Sequence, residues 1–270
     1  MRLRSRRRRP TVRVTQHGDP GDDDLLFVLG WGNKPGHRSV EWLLDRLTYE
    51  GYHVHAVELP TNGWEFERQY VNPVRAYAVD RDIDLVLSHS TGGLVAAHLD
   101  LAVRNVFLSP WWGMAASGLD RLLLPLVRRL PTTRPLVPSG ISREDLGELK
   151  LAAELADGPA NASPAFLRMI HGAQESLPPF NPDDVVFVSL SDRVVDVRAI
   201  GDRTPSANLV PYDGGHEFFA SERRERTLSM VFDALDGADA SSLRSGGSDA
   251  PGSTGPDDSA DGTQRPQSMD

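Results

Sequence analysis

At 270 residues the chain is long enough for one large α/β domain or two small ones, and its lack of cysteine excludes disulfides, thiolate nucleophiles and thiolate metal sites. Six arginines fall in residues 1–10, and six aspartates stand against two arginines in 237–270, so the net charge of −9 leaves −11 on the segment 11–236. A field of that sign opposes nucleic acid and anionic membrane surfaces.

The arginine run MRLRSRRRRP is followed by TVRVTQHGDPGDDD rather than by an apolar segment, so it reads as a solvated extension and not as an export signal. Nothing later has the length of a membrane span, which makes a cytoplasmic location the expectation. Residues 237–270 are Ser, Gly, Asp, Pro and Thr with almost no large apolar side chain, and are expected to be a disordered acidic tail. Two lysines stand against 27 arginines, and aspartate outnumbers glutamate 26 to 12. The same balance suits a chain adapted to concentrated salt, where self-repulsion is screened, and a chain from a GC-rich genome.

Within 11–236 the elements alternate. VRVTQH at 12–17 predicts an edge strand, LLFVLG at 25–30 a buried strand, and 39–51 a helix from apolar spacing of three and four. Strands follow at 52–59, 83–88 and 103–109, with helices at 74–79 and 91–101 between them. Consecutive apolar positions in these strands suit burial on both faces, and the alternation predicts an α/β fold with a mostly parallel central sheet and helices on both faces. The pattern stops between Pro110 and Pro182, where helical stretches at 142–156 and 164–176 and several prolines suggest a helical cap insertion at about 111–180. Strands at 185–190 and 208–212 and a helix at 221–235 complete the domain.

The strand LVLS runs into SHSTGG, a small-residue turn with a helix behind it. A sharp turn there exposes the middle residue, Ser90, and demands small neighbours two places away, which Ser88 and Gly92 provide. Two further strand ends carry matching chemistry: VSLSDRVVD places Asp192 and Asp196 after one strand, and PYDGGHEFF places His216 after the next. A serine hydroxyl needs a base to take its proton and a carboxylate to hold that base in the right tautomer. In this order and at these strand ends, the chain resembles the α/β-hydrolase family, whose elbow is G-x-S-x-G and whose triad runs nucleophile, acid, base. Ser88 departs from the family glycine.

The resemblance implies a serine hydrolase with Ser90 as nucleophile, His216 as base and Asp192 as acid, Asp196 being the rival and Asp213 a turn former. It also implies oxyanion donors at the backbone N–H groups of Thr91 and Trp31, the latter in LGWGNKPG where Leu29 replaces the usual histidine. A serine at the elbow argues against epoxide opening and dehalogenation. The expected partner is a small-molecule acyl substrate, an ester by default, with Trp111, Trp112, Met114 and Leu122 to Leu124 as candidates for an apolar pocket or for packing between cap and sheet. No cofactor is implied. No histidine pair has ligand-like spacing with a carboxylate, so no metal site is expected. Competing readings are a binding protein of the same fold without turnover, and acyl transfer to an acceptor other than water.

Overall fold

A computed structural model describes residues 11–83, 85–114 and 125–246. The expectations for residues 1–10, for Leu122 to Leu124 and for 247–270 lie outside these residues.

Seven strands form one sheet: β1 (Arg13–His17), β2 (Asp23–Val28), β3 (Tyr52–Glu58), β4 (Leu85–His89), β5 (Arg104–Leu108), β8 (Val185–Ser189) and β9 (Leu209–Tyr212). Their order is β1-β3-β2-β4-β5-β8-β9, and all neighbours are parallel except β1 against β3. Successive side chains of a strand point to opposite faces, and the apolar runs fill both. On one face Leu26, Val28, Val86, Phe107, Val186 and Val188 pack with α2 (Asn72–Asp80) and α3 (Thr91–Ala97). On the other, Leu25, Phe27, Leu87, Val106, Leu108 and Phe187 pack with α1 (Arg38–Tyr49) and α8 (Arg224–Leu235).

Between β5 and β8 the described residues carry a helical stretch at 125–128, a short two-stranded ladder, β6 (Val137–Pro138) with β7 (Asn161–Ala162), and three further helices. The predicted helix over 142–156 is two short ones, α4 (Arg143–Leu146), closed by a Ser142–Asp145 capping box, and α5 (Ala152–Asp157). Gly147 separates them in a backbone conformation where a Cβ would come within 2.5 Å of the Ala220 carbonyl oxygen. The helix expected at 164–176 is α6 (Pro164–Glu175), and it belongs to the main body: Phe166, Leu167, Ile170 and Ala173 join the core that covers the first face. Among the described residues, the ladder, α4 and α5 lie over the carboxyl ends of the strands. His216 N–H donates to the Asp145 carbonyl (3.0 Å) and Glu217 N–H to that of Leu146 (2.8 Å), pinning α4 to the loop after β9.

After β8 come α7 (Val197–Arg203) and, beyond α8, a further helix α9 (Ala240–Gly246). The latter corrects the expected disordered tail from 237: Ala240 and Leu243, one helical turn apart, are buried against the second core. Arg244 adds a guanidinium hydrogen bond to the Leu209 carbonyl (2.6 Å). Two apolar side chains in a Ser-rich window are too few for composition to reveal, yet enough to dock one short helix. β2 also begins earlier than its apolar run, at Asp23, because the sheet supplies partners for Asp24 that the sequence window does not contain.

Candidate active site

Four strands end at one edge of the sheet, and each delivers one part of the site. β4 ends at His89 and Ser90 follows with φ 53 and ψ −116, a backbone state unusual for a residue with a side chain. The turn is held from three sides: Ser90 N–H donates to the Leu108 carbonyl (3.1 Å), and Ser90 C=O accepts from Leu94 N–H (3.2 Å) and Trp111 N–H (2.9 Å). The glycines are needed for contact as well as shape, since a Cβ on Gly92 would overlap the Val28 carbonyl and one on Gly93 would lie 2.7 Å from Pro110 Cβ. Ser88, standing where the elbow pattern has glycine, is fully buried, and its hydroxyl has no hydrogen-bond partner among the described residues.

β8 leads into a turn closed by Asp192 N–H on the Ser189 carbonyl (3.2 Å). There Asp192 Oδ2 meets His216 Nδ1 at 2.7 Å, while its Oδ1 accepts from the N–H groups of Val194 (2.8 Å) and Val195 (3.1 Å). Burial pushes the Asp192 carboxyl upward, but facing His216 and accepting those bonds outweighs it, and its pKa lies below the usual carboxylate range. Asp196, the rival, is elsewhere: its Oδ1 caps α7 by accepting from Arg198 N–H (3.0 Å) and Ala199 N–H (3.4 Å). Asp213 is exposed and paired with Arg223. The segment after Trp112 is stitched to the Asp192 turn through Asp196 N–H on the Gly113 carbonyl (3.1 Å) and a bridge between Met114 and Val195.

Ser90 and His216 open on one cavity of about 590 Å³, which Thr91 and Trp31 also line. The Thr91 N–H is the first of α3, where helix N–H groups lack intrahelical acceptors. Trp31 is fixed by its indole N–H on the Thr61 carbonyl and by stacking on Phe166 with ring centroids 5.6 Å apart. Of the apolar candidates, Trp111 and Met114 line the cavity, joined by Phe166, Leu167 and Val194. Trp112 does not. It is buried in the core beneath, edge-on to Phe107 at 4.9 Å, with its indole N–H on the Gly93 carbonyl and Arg203 against its ring. The chain turns tightly at Trp111, with Trp112 N–H on the Pro110 carbonyl (2.9 Å), and the two indoles leave it in different directions.

A family model described as "Alpha/beta hydrolase family" matches residues 25–229, which include the turns at Ser90 and Asp192 and His216. The chain belongs to the alpha/beta hydrolase family. Among solved structures, a monoacylglycerol lipase from Paleococcus ferrophilus superposes with a TM-score of 0.65 at 14% identity, covering 84% of this chain and 99% of that one. A soluble variant of monoglyceride lipase from Saccharomyces cerevisiae, in complex with a substrate analogue, gives 0.66 at 12%, covering 86% and 97%. The esterase RhEst1 from a Rhodococcus species gives 0.58 at 19%, covering 85% and 98%. No curated protein matches the sequence.

In this alpha/beta hydrolase the site rests on a buried charged network invisible to the sequence reading. Glu217, next to His216, accepts from Asn33 Nδ2 of the Trp31 loop (2.9 Å) and from Lys150 Nζ (2.8 Å). Lys150 also reaches Ser39 Oγ at the start of α1 (3.3 Å) and lies 3.9 Å from Glu154 of α5. Burial raises the Glu217 carboxyl, but the charges of Lys150 and His89 and the bonds from Lys150 and Asn33 together outweigh it, and its pKa lies below the usual carboxylate range. The Trp31 loop, the His216 loop and the covering helices are thus tied at one point. Lys34 makes a second tie, to Asp157 at 2.7 Å. That the chain keeps only two lysines among its arginines was the one sequence signal for these ties. His89, beneath Ser90, is held neutral: burial, reinforced by neighbouring His216, pushes its pKa down to about 3. Its Nε2–H donates to the His216 carbonyl (3.3 Å), joining the end of β4 to the His216 loop.

Among the described residues no helix is long and apolar enough to cross a membrane.

Proposed function

We propose that this chain is a serine hydrolase that cleaves carboxylic esters through an acyl-enzyme. The observation that carries the reading is His216, bound through Nδ1 to the buried Asp192 carboxylate at 2.7 Å while its ring lines the same cavity as Ser90. With Nδ1–H donated to Asp192, Nε2 is the nitrogen that carries a lone pair, the tautomer a general base requires.

His216 Nε2 takes the Ser90 proton as Oγ attacks the ester carbonyl carbon, and the carbonyl oxygen becomes an oxyanion that accepts from the Thr91 and Trp31 N–H groups. Collapse of this intermediate breaks the bond to the alkoxy oxygen, which leaves as an alcohol with the proton from His216. Water then adds to the acyl carbon, giving its proton to His216, and the acid departs as Ser90 regains its hydrogen. Thr91 is suited to its part because it opens α3, and Trp31 because Glu217 holds its loop through Asn33.

The substrate is a small molecule with an apolar acyl group, since Trp31, Trp111, Met114, Phe166, Leu167 and Val194 line the cavity. The lipase and esterase names of the similar structures support an ester over other acyl bonds. The test is labelling with a serine-directed fluorophosphonate together with an ester chain-length series, for wild type and Ser90→Ala. The wild type is expected to label and to turn over esters, and the variant to lose labelling and about 10⁴-fold or more of kcat. Unchanged labelling or turnover in Ser90→Ala overturns the nucleophile, and a wild type that neither labels nor turns over any ester overturns the hydrolase.

A further inference from the structure

At the opposite, amino-terminal edge of the sheet the fold gathers two histidines and a carboxylate that the sequence reading had kept apart. His53 and His55 lie two apart on β3 and so share a face, and Asp24 on β2 is in register with His53. His53 Nδ1 and His55 Nε2 both approach Asp24 Oδ1 at 2.7 Å, and the donor atoms of the three side chains lie within 4.8 Å of one another. The imidazoles are almost wholly buried, at 8% and 1% side-chain exposure, whereas Asp24 is 35% exposed and gives the trio an opening to solvent.

We infer that Asp24, His53 and His55 form a binding site for a divalent transition-metal ion of the zinc class, with water completing its coordination. Two imidazole nitrogens and one carboxylate oxygen are a donor set that Zn²⁺, Co²⁺ and Ni²⁺ prefer over Mg²⁺ and Ca²⁺. In a tetrahedral zinc site neighbouring donors stand about 3.3 Å apart, given metal–ligand bonds of about 2.0–2.1 Å. Admitting the ion therefore requires the Asp24 oxygen to draw back by only about half an ångström from each imidazole nitrogen, while the two nitrogens already lie within 4.8 Å of each other.

The surroundings fit the protons that binding needs. Each imidazole would present its lone pair to the ion and carry its hydrogen on the other nitrogen, a tautomer change that leaves both rings neutral. For His55 that other nitrogen, Nδ1, already faces Tyr77 Oη of α2 at 2.8 Å, and Gln16 Nε2 of β1 donates to the same oxygen (3.2 Å). A ligating histidine commonly has such an outer partner, which fixes its ring. The negative field of the chain favours cations at this opening. Bound there, the ion would fasten β2 to β3 and, through His55 and Tyr77, to α2. It would act on stability, since it sits at the strand ends opposite the Ser90 cavity; the inference does not depend on the hydrolase reading.

The test uses the full chain, dialysed against chelator and titrated with Co²⁺, whose visible absorption reports bound geometry, with Zn²⁺ as competitor. The wild type is expected to take up one Co²⁺, to lose it to Zn²⁺, and to melt about 5 °C or more higher at a hundredfold excess of Zn²⁺ over its Kd. Asp24→Asn keeps a carbonyl oxygen to accept the imidazole hydrogen bonds and should fold, yet bind Co²⁺ at least tenfold more weakly. Tyr77→Phe should weaken it about tenfold through His55. No stoichiometric uptake by the wild type overturns the site, and so does equal affinity in Asp24→Asn and His53→Gln, which would place the ion elsewhere. Fluorophosphonate labelling of the same samples reports on the hydrolase separately.

Discussion

The two edges of the central sheet each contain a histidine nitrogen 2.7 Å from an aspartate oxygen, and the same contact has different surroundings in the two places. At the carboxyl edge Asp192 takes one nitrogen of His216 and leaves the rest of the ring on a cavity shared with Ser90. At the amino edge Asp24 takes a nitrogen from each of His53 and His55, and the second nitrogen of His55 is engaged by Tyr77. Among the described residues the further hydrogen-bond partners of that cluster are Tyr77 and Gln16, and no serine is among them. A histidine–carboxylate pair becomes a base only where the fold leaves its other nitrogen free beside a nucleophile, and the loops at the carboxyl ends of parallel strands provide that freedom.

The comparison breaks most sharply by removing each carboxylate. Asp192→Asn should lower ester turnover by about 10⁴-fold with a small change in Tm, because it upsets the His216 tautomer and not the packing. Asp24→Asn should leave turnover unchanged, as should Asp196→Asn to within a few-fold, since Asp196 caps α7 and does not touch His216. Comparable losses in Asp192→Asn and Asp24→Asn would show that the edges are not functionally separate, and comparable losses in Asp192→Asn and Asp196→Asn would overturn Asp192 as the acid.

A second experiment probes what braces the carboxyl edge. Lys150→Met leaves Glu217 buried without its counter-charge, and removal of one partner from a buried pair costs about 3–5 kcal/mol. Thermal unfolding should show a fall in Tm of roughly 10 °C. Turnover at temperatures where the variant is folded should fall as well, because Glu217 also holds the loop of Trp31 through Asn33. A variant that loses stability while keeping kcat would make the network a brace for the fold alone.

The smallest effect concerns Asp184, just before β8 at the amino edge. Burial pushes its carboxyl up to about 6, against 3.8 for a free aspartate, even though it accepts from Asn105 N–H (2.9 Å). A folded-state pKa above the unfolded one means that the fold favours the protonated form, so stability declines as pH rises from 3.8 through about 6. Asp184→Asn removes that decline. Its Tm should match wild type at the acid end and exceed it by a few degrees above the upper value, measured by thermal melts across pH; a constant offset would refute the assignment.

Much of this was readable in advance, and for local reasons. The apolar runs at 25–30, 83–88, 103–109 and 185–190 marked strands buried on both faces, and the small residues around Ser90 marked a turn that only small residues allow. The order of Ser90, Asp192 and His216 along the chain carried the family resemblance. Where the sequence left alternatives open, the deciding contact was distant. Asp192 and Asp196 are alike in sequence, and only the return of the chain 24 residues later sets His216 against one of them. Trp111 and Trp112 are adjacent and equally apolar, yet one faces the cavity and the other fills the core under Gly93.

The sequence by itself determined the alternation of strand and helix, the strained turn at Ser90 and the chemical types available at each strand end, because these depend on periodicity and on the steric needs of neighbouring residues. Tertiary structure alone decided which aspartate meets His216, that Lys150 closes on Glu217, that Leu243 docks, and that Asp24 gathers His53 and His55 at the far edge. Those outcomes depend on strand order and register, which bring together side chains that no sequence window contains.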